Sequence, residues 1–431
     1  MIERGMMKHR QQTRGAKSRL PLLVFPVLAL QTPVFSLQAE PITFSEAVEL
    51  AETATPAIEA RSLVIEAAQS AAIAADQLPD PKLSLDIMDR RIAGPFEISP
   101  RPGRDGFPRQ RIGISQDIPN GAKRRARAGQ AIADITVARA NKEALVQDVQ
   151  LYSALSWIDL YYAQRRLQIL EVLQQSLNEV SATVGARLES GTTRPAQAFE
   201  PERLIAKLAD RRSLRAADIE KARAMLARWT GVESPETEGT LPEFTIDRDA
   251  LVSTIKELPI LDIQDAKVER ADADVELARA NKRPDFSVNA SYVHRRPEYG
   301  EYVSVGVTID LPLFAKKRQN PVIDARILEA SAARLEANDL ERQLQAELSS
   351  DLAANRSYRE NWERSKNTLL PLAKKQAELE RVSYGAGRVD LDTALNAAVA
   401  FAEAEIDLLD REATLVRDTV RIKYTYERNQ P

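Results

Sequence analysis

The 431-residue sequence contains no cysteine and is poor in histidine, glycine and aromatic residues. Without cysteine the chain can form no disulfide, and no thiolate is available for a redox or metal centre. Only one histidine, His294, lies beyond residue 39, which excludes a conventional tetrahedral zinc or copper site there. We therefore expect no metal site and no other cofactor.

The sequence also lacks the motifs of common enzymes. It has no nucleophile elbow, no phosphate-binding loop and no cluster of metal ligands, so we do not expect an enzyme. No segment reaches 18 consecutive apolar residues, the length that a membrane-spanning helix needs. These absences exclude most catalytic and helical-membrane classes.

Positive charge is concentrated at the N-terminus. Residues 1–39 hold six of the 60 basic residues and one of the 63 acidic ones, so residues 40–431 carry 54 basic and 62 acidic groups, a net charge of −8. An acidic chain with no basic stripe is not expected to bind nucleic acid. A basic run to Arg19, an apolar stretch from Leu20 to Leu30 and a small residue, Ala39, predict a secretory signal peptide at 1–39.

The rest of the sequence repeats itself. Four landmarks recur in order at offsets between 193 and 205 residues, which indicates two copies of a unit of about 195 residues. We predict a first repeat at 40–231, a linker at 232–247 and a second repeat at 248–428. The landmarks are Thr55-Pro56 with Leu258-Pro259, Pro79-Asp80 with Pro284-Asp285, GISQDIPNGAKRR at 113–125 with GVTIDLPLFAKKR at 306–318, and RLESG at 187–191 with RVSYG at 381–385.

Long helices are predicted in both repeats. The stretch from Ala122 to Leu188 has no proline, and its apolar residues step by three and four, as in a coiled coil. Two shorter helices are predicted beside this long one, at Thr43–Leu78 and Arg194–Thr230, and their combined length matches it. The first of them begins with a capping box. In the second repeat we predict a long helix at Leu313–Tyr384 with a kink at Pro371.

Four strands are predicted, at about 82–89, 110–118, 285–294 and 301–311, because apolar and polar residues alternate there. Four strands cannot close a barrel, and an open sheet leaves exposed edges. Three chains could pool twelve strands. The predicted fold is mainly α with a small β part: duplicated helical hairpins and four strands per chain, forming a trimeric 12-stranded outer-membrane β-barrel and a periplasmic α-helical barrel. The expected membrane-strand residues are Leu83, Leu85, Ile87, Ile112, Ile114, Phe286, Val288, Tyr292, Val303, Val305 and Val307.

The strand entries PDPKLSLD and RPDFSVNA, the segment SQDIPNGAKRR and the turns RLESG and RVSYGAG resemble the TolC family of outer-membrane efflux proteins, most closely its heavy-metal branch. The resemblance covers about residues 42–424. It implies a homotrimer in the outer membrane of a Gram-negative bacterium, in contact with its lipid and with a long periplasmic extension. It also implies a periplasmic adaptor and an inner-membrane pump of the RND class as partners, and passive export of metal cations.

The resemblance points to two sites. The periplasmic tips that meet the adaptor would include Arg187, Gly191, Arg381, Gly385 and Gly387, with glycine supplying positive φ where the helix reverses. At the tunnel mouth, Thr393 and Asn396 stand where the family often has two acidic residues. The nearby Asp390 and Asp392 are candidates for a ring of carboxylates, or alternatively for an ordinary helix start.

Three other interpretations stay open at this stage. A drug-efflux or type I protein-secretion channel would have the same architecture. A periplasmic coiled-coil protein without transport would explain the helices but not the strands or the signal. The basic clusters at 123–125 and 316–318 could meet lipid headgroups at the barrel rim or lie on an ordinary helix surface.

Overall fold

The computed structural model describes residues 40–88, 109–189, 199–295 and 300–428. The predicted signal peptide at 1–39 and the Gly/Pro-rich segment 94–106 lie outside these ranges. Residues 39–431 form one unit. Its elements in chain order are β1 (Glu40–Ile42), α1 (Phe44–Ala54), α2 (Pro56–Ala75), β2 (Lys82–Met88), β3 (Arg109–Ile118), α3 (Gly121–Glu189), α4 (Glu200–Thr230), β4 (Pro235–Thr237), α5 (Arg248–Thr254), α6 (Pro259–Ala280), β5 (Asp285–His294), β6 (Tyr302–Asp310), α7 (Gln319–Arg364), α8 (Leu370–Gly385) and α9 (Leu391–Tyr426).

The first helix differs from its prediction. The capping box is present, since Thr43 and Glu46 exchange hydrogen bonds between side chain and backbone. However, the predicted helix Thr43–Leu78 is interrupted at Thr55, which adopts φ −81° and ψ 111°. The residue before a proline is disfavoured in the α conformation, so Pro56 ends α1 and starts α2. The second helix then ends at Ala75, three residues earlier than predicted.

The long helix of the first repeat is confirmed, whereas that of the second is not continuous. Helix α3 spans 69 residues without a break. The predicted helix Leu313–Tyr384 was wrong at its start, because residues 313–318 form turns and α7 begins at Gln319. A π-helical turn, Ser365–Leu369, separates α7 from α8. Pro371 has no N–H for the preceding turn, and the wider turn accommodates that loss at the position of the predicted kink.

The helices pack in an order that matches the sheet. Near the sheet, α2 packs on α3, α3 on α6 and α6 on α7, while the strands follow the order β2-β3-β5-β6. Each of these strands adjoins the corresponding helix in sequence. Towards the other end, α4 packs on α3, α3 on α9 and α9 on α8. We call this row of neighbouring helices and strands the wall; α2 and α7 lie at its two edges beside the sheet.

The main apolar core lies where α1, α3, α4 and α9 meet. The fully buried indole of Trp157 donates a hydrogen bond of 2.8 Å to the carbonyl oxygen of Ile42. The ring of Phe44 packs edge-on against that indole at a centroid distance of 5.6 Å. A second seam contains Leu170, Leu173 and Leu177, the heptad positions of α3. These contacts hold the duplicated hairpins together.

A small two-stranded sheet was not foreseen from the sequence. Strand β1 pairs in parallel with β4, which lies within the predicted linker 232–247. Both strands have three residues, too few to show a period-two pattern. The linker is therefore a structured part of the wall, and it ends where Asp247 caps α5.

Candidate functional site

The four-stranded sheet is antiparallel throughout, with the order β2-β3-β5-β6. The two repeats meet in its centre, where β3 pairs with β5 over nine residue pairs from Gln110–His294 to Ile118–Phe286. Within the described residues, β2 pairs only with β3 and β6 only with β5. The sheet therefore ends in two open edges, one from each repeat.

One face of this sheet is apolar and exposed. The strand register aligns the residues in rows across the sheet, such as Leu85 with Ile112, Ile112 with Tyr292, and Tyr292 with Val303. Leu85 is 73% exposed and Val305 is 79% exposed. All eleven residues expected in the membrane strands are exposed and share this face. An exposed apolar surface of this extent indicates a lipid or protein partner.

The opposite face is mostly polar. It carries Ser84, Gly113 and Ser291 side by side, and a Cβ at Gly113 would lie 2.9 Å from the hydroxyl of Ser84. Ser291 and Val293 on this face are buried, in contrast to the apolar face. One face of the sheet is thus mainly apolar and the other mainly polar.

A polar junction, which we define as Asn120, Lys123 and Asp285, joins the sheet to the long helix. Asn120 donates two hydrogen bonds of 2.8 Å to Asp285, one from its backbone N–H and one from its side-chain amide. Its side-chain oxygen accepts a 2.8 Å bond from the backbone N–H of Lys123, and the Lys123 ammonium forms an ion pair with Asp285. Sequence reasoning missed this site, although the segment SQDIPNGAKRR contains Asn120 and Lys123 and the strand entry RPDFSVNA contains Asp285.

This junction decides part of the question about the basic clusters. Lys123 is directed to Asp285, and the guanidinium of Arg124 donates a 2.8 Å hydrogen bond to the carbonyl oxygen of Asp76. Two members of the first cluster therefore contact protein. The interpretation as a lipid-headgroup site does not fit them.

At the second tip, helix α8 ends in a Schellman motif. Gly387 adopts φ 71°, its N–H donates to the carbonyl oxygen of Tyr384, and the N–H of Arg388 donates to that of Ser383. The expectation of positive φ is confirmed at Gly387 and wrong at Gly385, which remains helical with open space around it. A Schellman motif needs a left-handed residue at one position only.

The first tip is described only in part. Arg187 lies in α3, two residues before the end of that helix, and Gly191 lies outside the described residues. Arg381 of the second tip lines an open groove of about 430 Å³ between α3, α8 and α9. The walls of this groove are mostly apolar and include Leu177, Leu391 and Phe401.

The candidate tunnel-mouth residues lie on the first turns of α9. The carboxylate of Asp390 accepts hydrogen bonds from the backbone N–H of Thr393 at 2.9 Å and from its hydroxyl at 2.6 Å. Asp390 is therefore the N-cap of α9, which accounts for an acidic residue at this position. Asp392 is half-buried, whereas Thr393 and Asn396 are exposed and lie on the same side of the helix.

The described ranges contain no group of three or more His, Cys, Asp or Glu residues that could hold a metal ion. Within the same ranges, no helix has the length and apolar character needed to cross a membrane.

Similarity to known proteins is found at the level of structure. No family model and no curated protein matches the sequence. The outer-membrane channel OprN superposes with a TM-score of 0.73 at 17% identity, covering 90% of either chain. The open MtrE outer membrane channel of Neisseria gonorrhoeae gives 0.72 at 15% identity, covering 89% of this chain and 88% of its own. CusC, studied for its transmembrane channel formation, gives 0.72 at 14%, covering 89% and 91%. The chain therefore shares its fold with these solved outer-membrane channels over nearly its whole length.

Proposed function

We propose that the protein is the outer-membrane channel subunit of a tripartite efflux system in a Gram-negative bacterium. Three copies pool their sheets into a 12-stranded β-barrel, and their helices form a periplasmic α-helical barrel. The channel moves its cargo passively and is not an enzyme. The energy comes from an inner-membrane pump that is reached through a periplasmic adaptor.

One observation carries this proposal: within the part of the chain that the structure describes, the four-stranded sheet has an exposed apolar face, a polar face and two open edges. An isolated sheet of this kind would expose both its edges and its apolar side chains to water. Lipid favours the apolar face, but it cannot satisfy the backbone groups of an open edge. Pairing β2 of one copy with β6 of the next satisfies both edges at once, and a closed ring of copies removes them entirely.

The helices at the edges of the wall support the same assembly. Helix α2 has no buried residue, and its Ile73 is 74% exposed. On α7, at the opposite edge, Leu328 and Leu335 are each 70% exposed. Because α2 precedes β2 and α7 follows β6, the contact that closes the sheet also brings these two apolar helix faces together. OprN and MtrE, two solved structures with this fold, are outer-membrane channels, which supports a conduit.

The two tips are the proposed adaptor contacts. The Schellman turn at Gly387 reverses the chain within a few residues, and Arg381 lies beside the apolar groove between α3, α8 and α9. A narrow turn next to an apolar groove suits the end of a partner's helical hairpin. Arg187 and Gly191 are assigned to the equivalent tip of the first repeat because RLESG at 187–191 matches RVSYG at 381–385.

For the cargo we propose metal cations, expelled by a pump of the RND class, on the resemblance of the strand-entry motifs. Asp392, Thr393 and Asn396 on the first turns of α9 are the proposed mouth of the tunnel. A conduit needs no tight metal site, since cargo that binds too strongly would not leave. A strain in which the gene for this protein is deleted tests this assignment. We expect it to become more sensitive to metal salts than the parent strain, and a gain of sensitivity to lipophilic drugs alone would contradict the assignment.

Membrane fractionation tests the wider proposal. The full-length protein, expressed in a Gram-negative host, is expected in the outer-membrane fraction and to require detergent for extraction. A Leu85→Glu and Val305→Glu double variant, which charges the apolar face, is expected to leave that fraction. The matched control, Ser84→Glu and Ser304→Glu, alters neighbouring positions on the polar face and is expected to stay. Recovery of the wild type as a water-soluble periplasmic monomer would contradict the proposal.

A further inference from the structure

The two strand hairpins of the four-stranded sheet pair their residues in the same register. Sequence matching relates β2 to β5 at an offset of 205 residues and β3 to β6 at an offset of 193. Under these offsets, the pair Leu85–Ile112 of the first hairpin corresponds to Ala290–Val305. These two residues are opposite each other in the second hairpin. The repeat therefore relates backbone positions in space as well as in sequence.

The same offsets relate the pairing of β3 with β5, which we call the central joint, to the two open edges of the sheet. At the central joint, Ile114 is opposite Ala290. The corresponding residues are Val307 on β6 and Leu85 on β2. A second copy that pairs its β2 with β6 in this register puts Leu85 opposite Val307. Apolar residues then face apolar ones along both strands, whereas a shift by one residue would turn one strand over.

An ion pair accompanies the central joint, between Lys123 and Asp285. The corresponding residues are Lys316, which follows β6, and Asp80, which precedes β2. Both are exposed, and within the part of the chain that the structure describes neither forms an ion pair. The pair that links the two repeats inside the chain is thus present again as two separate halves, one beside each open edge.

The polar face of β6 lacks a cation that the first hairpin has. Asp310 is opposite Asp285 in register, and like charges that face each other destabilise a sheet. The counterpart of Asp310 in the first repeat, Asp117, has Lys82 at 2.7 Å. In the second repeat, Ser287 stands at the position of Lys82. In the register of the central joint, Lys82 of an adjoining copy is opposite Asp310, so that edge offers the missing cation.

We propose that adjacent copies join β6 to β2 in the register of the central joint and that two ion pairs between copies fix this register. The partner is a second copy of this chain. The inference rests on the proposed function, because only a ring of copies brings the two open edges together. The ion pairs are Lys316 with Asp80 and Asp310 with Lys82.

The joint between copies has fewer neutral polar contacts than the central one. At the central joint, Asn120 donates two hydrogen bonds of 2.8 Å to Asp285. Leu313, which is 76% exposed, stands at the corresponding position of the second repeat. Residues 313–318 form turns, so Lys316 lies ahead of α7 on an exposed segment. The contact between copies therefore depends on charge and is expected to weaken as salt is added.

Charge reversal in the full-length protein tests the ion pairs. Lys316→Asp brings two carboxylates together at each joint. It is expected to lower the fraction of trimer that survives mild heating in detergent at low salt at least about twofold. Asp80→Lys alone is expected to do the same, and the two substitutions together to restore the wild-type fraction. The matched control, Lys207→Asp, reverses an exposed lysine of α4, which packs away from the sheet, and is expected to leave the trimer unchanged.

Disulfide formation between copies tests the register independently. Ile87 and Val305 are opposite each other in the proposed register, so cysteines at these two positions are expected to link two copies readily. The comparison variants combine Ile87→Cys with Val303→Cys or with Val307→Cys. These diagonal positions are about 7–8 Å apart, so they are expected to give less of the linked product.

The outcomes separate this inference from the proposed function. Trimers that are as stable in both single reversals as in the wild type, or a double variant no more stable than the singles, would overturn the ion pairs. Preferred linking at a diagonal position would overturn the register, and in both cases the channel function stands. A wild-type protein that forms no assembly of copies would overturn the channel function and the inference with it. If reversal prevents folding, Lys316→Gln replaces it, and a trimer with the same salt dependence as the wild type would overturn the pair.

Discussion

Asn120 and Asp285 are joined by two hydrogen bonds of 2.8 Å across 165 residues of sequence. Asn120 directly precedes the long helix of the first repeat, and Asp285 begins the first strand of the second repeat. The pair therefore links sheet to helix and one repeat to the other at a single point. It attaches β5, a central strand of the sheet, to the start of the long helix α3.

Removing this link is expected to weaken the assembled protein without changing its location. Asn120→Ala leaves the carboxylate of Asp285 with fewer donors, at a cost of about 1–3 kcal/mol per junction. The thermal unfolding midpoint of the detergent-solubilised protein is expected to fall. Asp86→Asn, on the same sheet but away from the junction, serves as the control. An unchanged midpoint in Asn120→Ala would show that the junction does not contribute to stability.

The apolar face should tolerate charge far less than the polar face. An arginine facing lipid near the bilayer midplane costs about 2–4 kcal/mol, whereas a lumen-facing one does not. We expect Val305→Arg to reduce the amount of protein in the outer membrane severalfold and Ser304→Arg to leave it unchanged. Quantitative blotting of membrane fractions compares the two neighbours. Equal losses in both variants would contradict the assignment of the faces.

The sequence predicts the periodic parts of this structure well. Alternation placed the four long strands within a residue or two of their ends, and the 69-residue helix followed from the absence of proline. Non-periodic features were missed. The three-residue strands β1 and β4 are too short for a pattern, and the Asn120–Asp285 pair depends on a contact between residues distant in sequence. Similarly, the break at Thr55 depends on local competition between helix propagation and Pro56.

The candidate tip and mouth show a different limit of sequence reasoning. Repeat matching paired the two turns, but it could not tell which glycine carries the positive φ, because both fit the motif. Likewise, Asp390 fitted either an acidic ring or a helix cap from sequence alone, and its bonds to Thr393 account for the cap. Such alternatives differ by the orientation of a single side chain or peptide.

Gly387 is expected to be essential for coupling to the adaptor. Valine at φ 71° costs about 1–3 kcal/mol and should distort the Schellman turn. We expect Gly387→Val to abolish export, measured as metal sensitivity of the complemented deletion strain, while trimers still form. Gly385→Ala should be tolerated, since Gly385 is helical and its surroundings are open. Full export activity in Gly387→Val would remove the tip assignment.

Acid is expected to loosen the contact between α7 and α9. Burial opposes ionisation of Asp351, but hydrogen bonds from Arg421 at 2.8 Å and Tyr426 at 3.0 Å hold the pKa of this carboxyl below its ordinary value. A lowered folded-state pKa means that the stabilisation is complete above the unfolded value of about 3.9 and is lost as pH falls further. Thermal melting curves measured across this pH range should show that Asp351→Asn loses less stability on acidification than the wild type does. Identical pH profiles for variant and wild type would contradict this role.

Ring closure between copies is the central claim. Because the sequence contains no cysteine, introduced cysteines can test it without competing native disulfides. Single cysteines at Leu85 on β2 and at Val303, Val305 or Val307 on β6 are combined pairwise in the full-length protein. Within one chain, β2 and β6 are about 14 Å apart, too far for a disulfide. Oxidation in the membrane is therefore predicted to give covalent species of two and three chains for at least one pairing. A protein that remains monomeric on a denaturing gel for every pairing would contradict the account.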